Sequence, residues 1–236
     1  MRSALLGSAI LTACLLAGSA SSRSLPGVVL GRSVEGRAIR AIEVGDPASR
    51  RKALVVGCIH GNECAGLAIL RRLERLGPQA SVDLWLVPEA NPDGTALNRR
   101  QNARGVDLNR NFSWHWRPLP RGTYYSGPRP ASEPETRVAL RFIRRLHPTV
   151  TIWFHQHMRL VDKSGGDLSI ERRFARTAGL PLWQLPRYPG SVTSWENHNL
   201  PDTTAFVVEL PAGSLSPAEA DRYARAVRAV VSGTGS

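Results

Sequence analysis

The stretch Ala53-Leu-Val-Val-Gly57-Cys-Ile-His60-Gly-Asn-Glu63 decides how the rest of the chain is read. Its first five residues are a short continuous apolar run, the pattern of a strand buried on both faces. A Gly-containing loop follows. From Ala65 to Leu76 the apolar residues Leu67, Ile69, Leu70, Leu73 and Leu76 then recur near helical spacing. The local order is strand, loop, helix. His60 and Glu63 therefore sit between the strand's carboxyl end and the helix start, where open α/β sheets place their sites. A His and a carboxylate three residues apart can chelate one zinc ion, and a catalytic zinc takes three protein ligands and a water. Alone the His-x-x-Glu pair is a weak signal, because both residue types also serve on surfaces and as caps.

Working outward, Gly36 to Val44 places β-branched residues between turn formers and predicts an edge hairpin. Val82 to Val87 reads as another strand. Pro88 to Pro130 is rich in Pro, Gly, Asn and Arg with no sustained period, and so long a loop inside a compact domain is usually functional. Ser132-Glu-Pro-Glu135 reads as a helix start in which Ser132 caps, Pro134 fits the first turn and Glu135 completes a capping box. That helix runs to about Leu146 and is stopped by Pro148. Val150 to Phe154 is the next strand, Ile170 to Ala178 a helix, Ala205 to Leu210 a strand, and Pro217 to Val231 a final helix begun by Ser216. Alternating strands and helices predict an α/β fold, a mixed central β-sheet with helices on both faces.

The 236 residues carry 42% hydrophobic and 21% charged side chains, ordinary globular values that exclude a disordered or fibrous chain. A net charge of +12 raises nucleic acid as a partner. The charge is scattered arginine, with lysine only at Lys52 and Lys163, and no basic stripe or binding motif accompanies it. No nucleic-acid partner is expected. Residues 1–20 read as a secretory signal peptide, with Arg2 as the positive start, Ala4 to Ala17 apolar and Gly18-Ser19-Ala20 as the cleavage site. The protein is then secreted or extracytoplasmic, with 21–236 as a single catalytic domain. Leu11-Thr-Ala-Cys14 leaves a second reading open, a lipoprotein anchored through Cys14. No other apolar stretch approaches the ~20 residues a transmembrane helix needs. In an exported chain Cys58 and Cys64 are either a disulfide or two free thiols.

A third ligand should come from another strand end. His155 closes the Val150 to Phe154 run and is preferred to His157, which begins the following loop and would be a pocket-wall residue. The long loop also contains Asn91-Pro-Asp-Gly94 and Asp107-Leu-Asn-Arg-Asn-Phe112. Together with His60-Gly-Asn-Glu63, Ser132-Glu-Pro-Glu135, His155 and Phe206-Val-Val-Glu209-Leu210, these segments fall in the order seen in zinc-dependent metallocarboxypeptidases of the carboxypeptidase A type (peptidase M14). The chain resembles that family over about Gly31 to Val231, and looks closest to the short bacterial branch that includes murein peptide amidases.

The resemblance implies a zinc carboxypeptidase-like, phosphorylase/hydrolase-like fold and one zinc ion held by His60, Glu63 and His155. It implies Glu209 as general base, Asn109 and Arg110 as the pair docking the substrate's terminal carboxylate, and Asp107 as the carboxylate orienting a zinc-bound imidazole. The family's carbonyl-polarising arginine falls on Arg100, with Arg99 and Arg104 as neighbours that fit nearly as well. The mobile tyrosine has no exact counterpart, and Tyr188 is the nearby candidate. The specificity pocket falls on Val192 to Trp195. The substrate would be a peptide with a free C-terminal carboxylate, including murein peptides, and the enzyme a monomer. Two other readings are an N-acyl amino acid hydrolase resembling aspartoacylase and succinylglutamate desuccinylase, and a non-catalytic peptide- or wall-binding module on the same fold. The complete Asn-Pro-Asp-Gly and Asn-Arg-Asn-Phe segments favour the peptidase over the first, and retention of every ligand and Glu209 favours it over the second.

Overall fold

The computed structural model describes residues 27–232; the signal-peptide and Cys14 readings lie outside them. The chain opens with β1 (Val28–Arg32) and β2 (Ala38–Glu43), an antiparallel hairpin. It continues through β3 (Lys52–Cys58), α1 (Gly66–Leu76), β4 (Asp83–Glu89), a short α2 (Pro92–Ala96) and a single 3-10 turn (Leu108–Arg110). Then follow α3 (Pro134–Leu146), β5 (Val150–Asp162), α4 (Leu168–Ala178), β6 (Leu182–Trp183), α5 (Val192–Asn199), β7 (Thr204–Pro211) and α6 (Pro217–Val231). One seven-stranded sheet runs β1-β2-β4-β3-β5-β6, with β7 also pairing β5. Strands β3, β4, β5, β6 and β7 are joined by parallel ladders and the hairpin is antiparallel, so the sheet is mixed.

Side-chain alternation along each strand builds two cores. Ala53, Val55, Leu84, Leu86, Ile152, Phe154, Phe206 and Val208 face one layer with α1, α4 and α6, whose Ile69, Leu73, Phe174, Tyr223 and Val227 bury against them. Leu54, Val56, Val87 and Trp153 face the other, packing on Leu140, Ile143 and Leu146 of α3 and on Val192 and Trp195 of α5. Helices thus cover both faces, as the alternation of strand and helix predicts.

Several boundaries differ from the sequence expectation. β5 extends eight residues beyond Phe154, to Asp162. β1 precedes the predicted hairpin segment and pairs with it, and neither β6 nor α5 carries a strong period. Ser132 does not cap α3. The N-cap is Glu133 without a side-chain cap bond, while Ser132 Oγ donates to Glu133 Oε1 at 2.7 Å and accepts from Asn111 Nδ2 at 2.9 Å. Glu135 is spent elsewhere too, accepting from Val34 N at 3.0 Å and Asn102 Nδ2 at 3.1 Å. The capping chemistry there ties the long loop to the helix start instead. A full capping box forms at α6, where Ser216 and Glu219 bond reciprocally. α3 ends with His147 in the left-handed conformation, φ 51°, just before Pro148.

Behind β5, Trp153 Nε1 donates to the buried Glu196 Oε1 at 2.7 Å. Burial pushes the Glu196 carboxyl up from 4.5 to about 7, against the pull of that bond. A carboxyl with a raised folded pKa holds its proton more tightly when folded, so its stability contribution is lost as pH rises from about 4.5 through about 7. Glu196→Gln keeps an acceptor for Trp153 and removes the charge. Urea unfolding should show the variant more stable than the parent by on the order of 2 kcal/mol above pH 8, with the gain gone near pH 5. A gain independent of pH would contradict this.

Candidate metal centre and substrate cavity

The carboxyl ends of β3, β5 and β7 converge on one cavity. The parallel register sets His155 beside Glu209, so both side chains leave the sheet on the same side. His60 follows β3 in a tight turn braced by the disulfide Cys58–Cys64. Gly61 is needed in that turn, because a Cβ there would lie 1.9 Å from the Gly94 carbonyl carbon. The Asn-Pro-Asp-Gly segment supplies this floor. Asn91 Oδ1 accepts from Gly94 N at 3.0 Å and caps α2, while buried Asp93 accepts from Ser33 Oγ at 2.7 Å, Glu35 N at 3.0 Å and Arg37 Nη1 at 2.8 Å. The motif therefore pins the β1–β2 turn beneath the site.

His60 Nδ1 lies 2.9 Å from Glu63 Oε2, and His155 Nδ1 lies 3.1 Å from both His60 Nδ1 and Glu63 Oε2. His60 Nε2 lies 3.0 Å from Asp107 Oδ1, an acceptor, which makes Nε2 the protonated nitrogen and leaves the Nδ1 lone pair pointing at Glu63 and His155. Three donor atoms thus face one point at 2.9–3.1 Å from each other. Ligands of a tetrahedral zinc with ~2.0–2.1 Å bonds are spaced at roughly 3.3 Å, so the residues present fit such an ion in donor type and spacing.

Asp107 organises the surroundings. Fully buried, it accepts from Asn109 N at 2.9 Å through Oδ1 and from Arg100 Nε at 2.9 Å through Oδ2. Burial favours its neutral form, but the charge and hydrogen bond of His60 and the charges of Arg100 and Arg110 hold it well below the usual carboxylate range. His60 responds in kind: burial lowers its pKa, and the charge and hydrogen bond of Asp107 together with the bond to Glu63 more than offset that, leaving it raised. Burial likewise opposes ionisation of Glu63, yet its bonds to the two imidazoles pull it well below the usual range. Arg100 Nη1 donates to Glu63 Oε1 at 2.7 Å.

The structure places His60, Glu63, His155, Arg100, Asn109, Arg110, Tyr188 and Glu209 around a single cavity, with Asp107 beneath it. Arg99 instead donates to the Asn102 carbonyl and Arg104 sits 3.6 Å from Glu133, so Arg100 is the one of the three that faces the cavity. Asn109 Oδ1 accepts from Val192 N at 2.9 Å, fixing the start of α5. Arg110 is buried, which lowers its pKa, and its Nη1 donates to the Asn109 carbonyl at 2.7 Å. Gly190, φ 65°, lets the chain pass over Arg110, where a Cβ would lie 2.3 Å from the Arg110 carbonyl oxygen. His157 is exposed and outside the metal cluster. Glu209 is 9% exposed and its Oε2 makes no hydrogen bond among the described residues.

One expectation is corrected and two residues are new. Trp195 does not line the pocket; it is buried against Phe112, and Ser191, Thr193 and Ser194 line the wall. Asp162 and Arg187 line the same cavity, joined by Arg187 Nη1 to Asp162 Oδ2 at 3.1 Å. Neither carried a signal in the sequence: Asp162 ends the mixed polar stretch that follows His155, and Arg187 lies in a loop.

A profile of the zinc carboxypeptidase family (Peptidase_M14) matches residues 19–166, and the chain belongs to that family. It is a zinc metallopeptidase by that membership. Murein peptide amidase A of Escherichia coli K12 is 31% identical over 163 residues, covering 63% of this chain and 67% of that one. Its counterpart in Vibrio campbellii is 29% identical, with 69% and 71% covered. Among solved structures, murein-tripeptide amidase MpaA from Escherichia coli O157 superposes with a TM-score of 0.75 at 27% identity, covering 91% of this chain and 95% of that one. Carboxypeptidase A from Helicoverpa armigera gives 0.75 at 19% identity over 87% of this chain and 67% of that one, a likeness of fold. Among the described residues no helix is long and apolar enough to cross a membrane.

Removal of a metal-facing side chain should be read directly as metal content. His60→Ala is expected to retain less than a tenth of the zinc of the parent after loading and desalting, measured by elemental mass spectrometry. Asp107→Asn should weaken zinc affinity by about 10–100-fold while keeping the fold. Parental affinity in Asp107→Asn would remove the orienting role.

Proposed function

We propose that the protein is an exported exopeptidase that hydrolyses the last peptide bond of murein-type peptides, with residues 21–236 as one catalytic domain and residues 1–20 as the export signal. The Cys58–Cys64 disulfide suits an oxidising compartment outside the cytoplasm. The observation that carries the reading is the meeting, in one cavity, of a cluster able to hold an ion, a Glu209 carboxylate whose Oε2 has no partner among the described residues, and a buried arginine. His60, Glu63 and His155 would hold one zinc ion. When bound, it supplies a Lewis acid that polarises the scissile carbonyl and acidifies water.

The chain's own residues do the rest. Arg110 takes the substrate's terminal carboxylate through in-plane guanidinium donors, and Asn109 Nδ2 adds a further donor. Arg100 turns from Glu63 toward the carbonyl oxygen as negative charge develops there. Glu209 takes the proton of the attacking water and passes it to the departing amine, so that water and peptide become a shortened peptide and a free amino acid. Tyr188 covers the bound residue from the mouth of the cavity.

The relatives named as acting on murein peptides support that substrate class, as does the Asp162–Arg187 pair at the cavity wall. A singly charged side chain would meet one partner and one like charge there. A terminal side chain that carries both an ammonium and a carboxylate satisfies both.

Product analysis by mass spectrometry on ordinary peptides, murein stem peptides and N-acyl amino acids tests the reading. Release of single C-terminal residues by the parent is expected, with Glu209→Gln keeping zinc and losing at least 1,000-fold in kcat. Deacylation of the N-acyl amino acids alone would overturn it. Arg110→Ala should raise KM on free-carboxylate peptides; equal losses on amidated peptides would refute the docking role. Asp162→Asn and Arg187→Gln should each erase any preference for a zwitterionic terminal side chain over Lys or Glu, read as a ratio of kcat/KM values.

A further inference from the structure

The ring of Tyr124, absent from every motif of the sequence reading, stands over both cavity guanidiniums. Its centroid lies 5.2 Å from Arg100 Cζ and 5.4 Å from Arg110 Cζ, while Tyr188 covers Arg110 at 4.3 Å. Tyr124 is 54% exposed, so core packing does not explain its place. With Tyr188 it lines the outer cavity in which Glu63, Arg100, Arg110 and Glu209 also appear. The supporting loop is firmly built. Tyr125 O accepts from Asp107 N at 2.8 Å, tying the backbone beside Tyr124 to the residue that orients His60. Ser126 O accepts from Asn111 Nδ2 at 2.7 Å and from Trp116 Nε1 at 3.1 Å.

Two guanidiniums close together repel, and Arg100 already spends Nε on Asp107 and Nη1 on Glu63, so a further fixed carboxylate would occupy the donors left for substrate oxygens. An aromatic ring meets a guanidinium through its face and leaves the in-plane N–H groups free. We propose that Tyr124 is a positioning residue of the substrate site, its ring face holding Arg100 and Arg110 in place while the in-plane donors they do not spend on Asp107, Glu63 and the Asn109 carbonyl stay available to the substrate's carbonyl and terminal carboxylate. This rests on the exopeptidase reading above and names a residue that reading does not use. Tyr124 acts through the two arginines and takes no part in proton transfer.

The test uses the full zinc-loaded chain with Glu209→Gln, which binds without turnover, and the peptide that the parent cleaves best, with free or amidated C-terminus. By calorimetry, adding Tyr124→Ala should weaken binding of the free-carboxylate peptide about tenfold and leave the amidated one within twofold. Tyr124→Phe should restore parental affinity. With Glu209 present, Tyr124→Ala should raise KM about tenfold with a smaller fall in kcat, at unchanged zinc content and melting temperature. Unchanged affinity in Tyr124→Ala, where Glu209→Gln itself prefers the free carboxylate, overturns the proposal alone. Failure of Tyr124→Phe to rescue also overturns it, since the ring face would not be the active feature. A Glu209→Gln protein with no preference for the free carboxylate overturns the docking reading and this proposal together.

Discussion

Asp107 is the interaction on which the site depends. Its two oxygens reach His60, the Asn109 amide and Arg100, while its own amide binds Tyr125. One buried carboxylate thus sets the tautomer of a metal-facing imidazole, the start of the turn bearing Asn109 and Arg110, and the aim of a second guanidinium. An ionised group without partners would be costly at zero exposure; four polar contacts make it a joint. The three loop segments that meet there come from positions 60, 100–110 and 125, which is why the long connection after β4 holds its shape with almost no regular structure of its own.

The second constraint is the parallel register of β3, β5 and β7, which delivers His60, His155 and Glu209 to one end of the sheet. This part was legible in the sequence. Apolar runs closing on a His or a Glu declare both the strand and the position of its carboxyl end, and the final helix begun by Ser216 was equally plain. The weak elements failed for a physical reason. α5 mixes buried Val192 and Trp195 with polar Thr193 and Ser194 because one side of it serves a cavity, and Glu196 is buried on Trp153 instead, so its helical period is blurred. The Ser132 cap failed because local capping chemistry was outcompeted by tertiary partners, Asn111 and Asn102. Asp162, Arg187 and Tyr124 join the site only through folding of loops and the far end of β5, and short-range spacing carries no trace of that.

The Asn-Pro-Asp-Gly segment shows how a motif can be recognisable without touching substrate. Its Asn caps a five-residue helix, its Asp gathers the hairpin turn, and its Gly backbone is the surface against which Gly61 of the His60 turn packs. Motif residues of this kind support the chemistry through geometry alone. They also explain why the edge hairpin is anchored from below, through Ser33 and Arg37, as well as by its ladder to β4.

Charge balance argues for the same occupants that geometry does. Around the cavity, Glu63, Asp107 and Glu209 supply three negative charges against two positive ones from Arg100 and Arg110, with Asp162 and Arg187 cancelling each other. With neutral imidazoles the site is short of one positive charge. A divalent cation at His60, Glu63 and His155 reverses that deficit to a single surplus of positive charge, and a peptide's terminal carboxylate at Arg110 then restores neutrality. An amidated terminus, bringing no charge, would leave a buried guanidinium uncompensated. On the proposed function, a preference for a free C-terminus would be a property of the whole buried cluster, completed in two steps, first by the ion and then by the substrate.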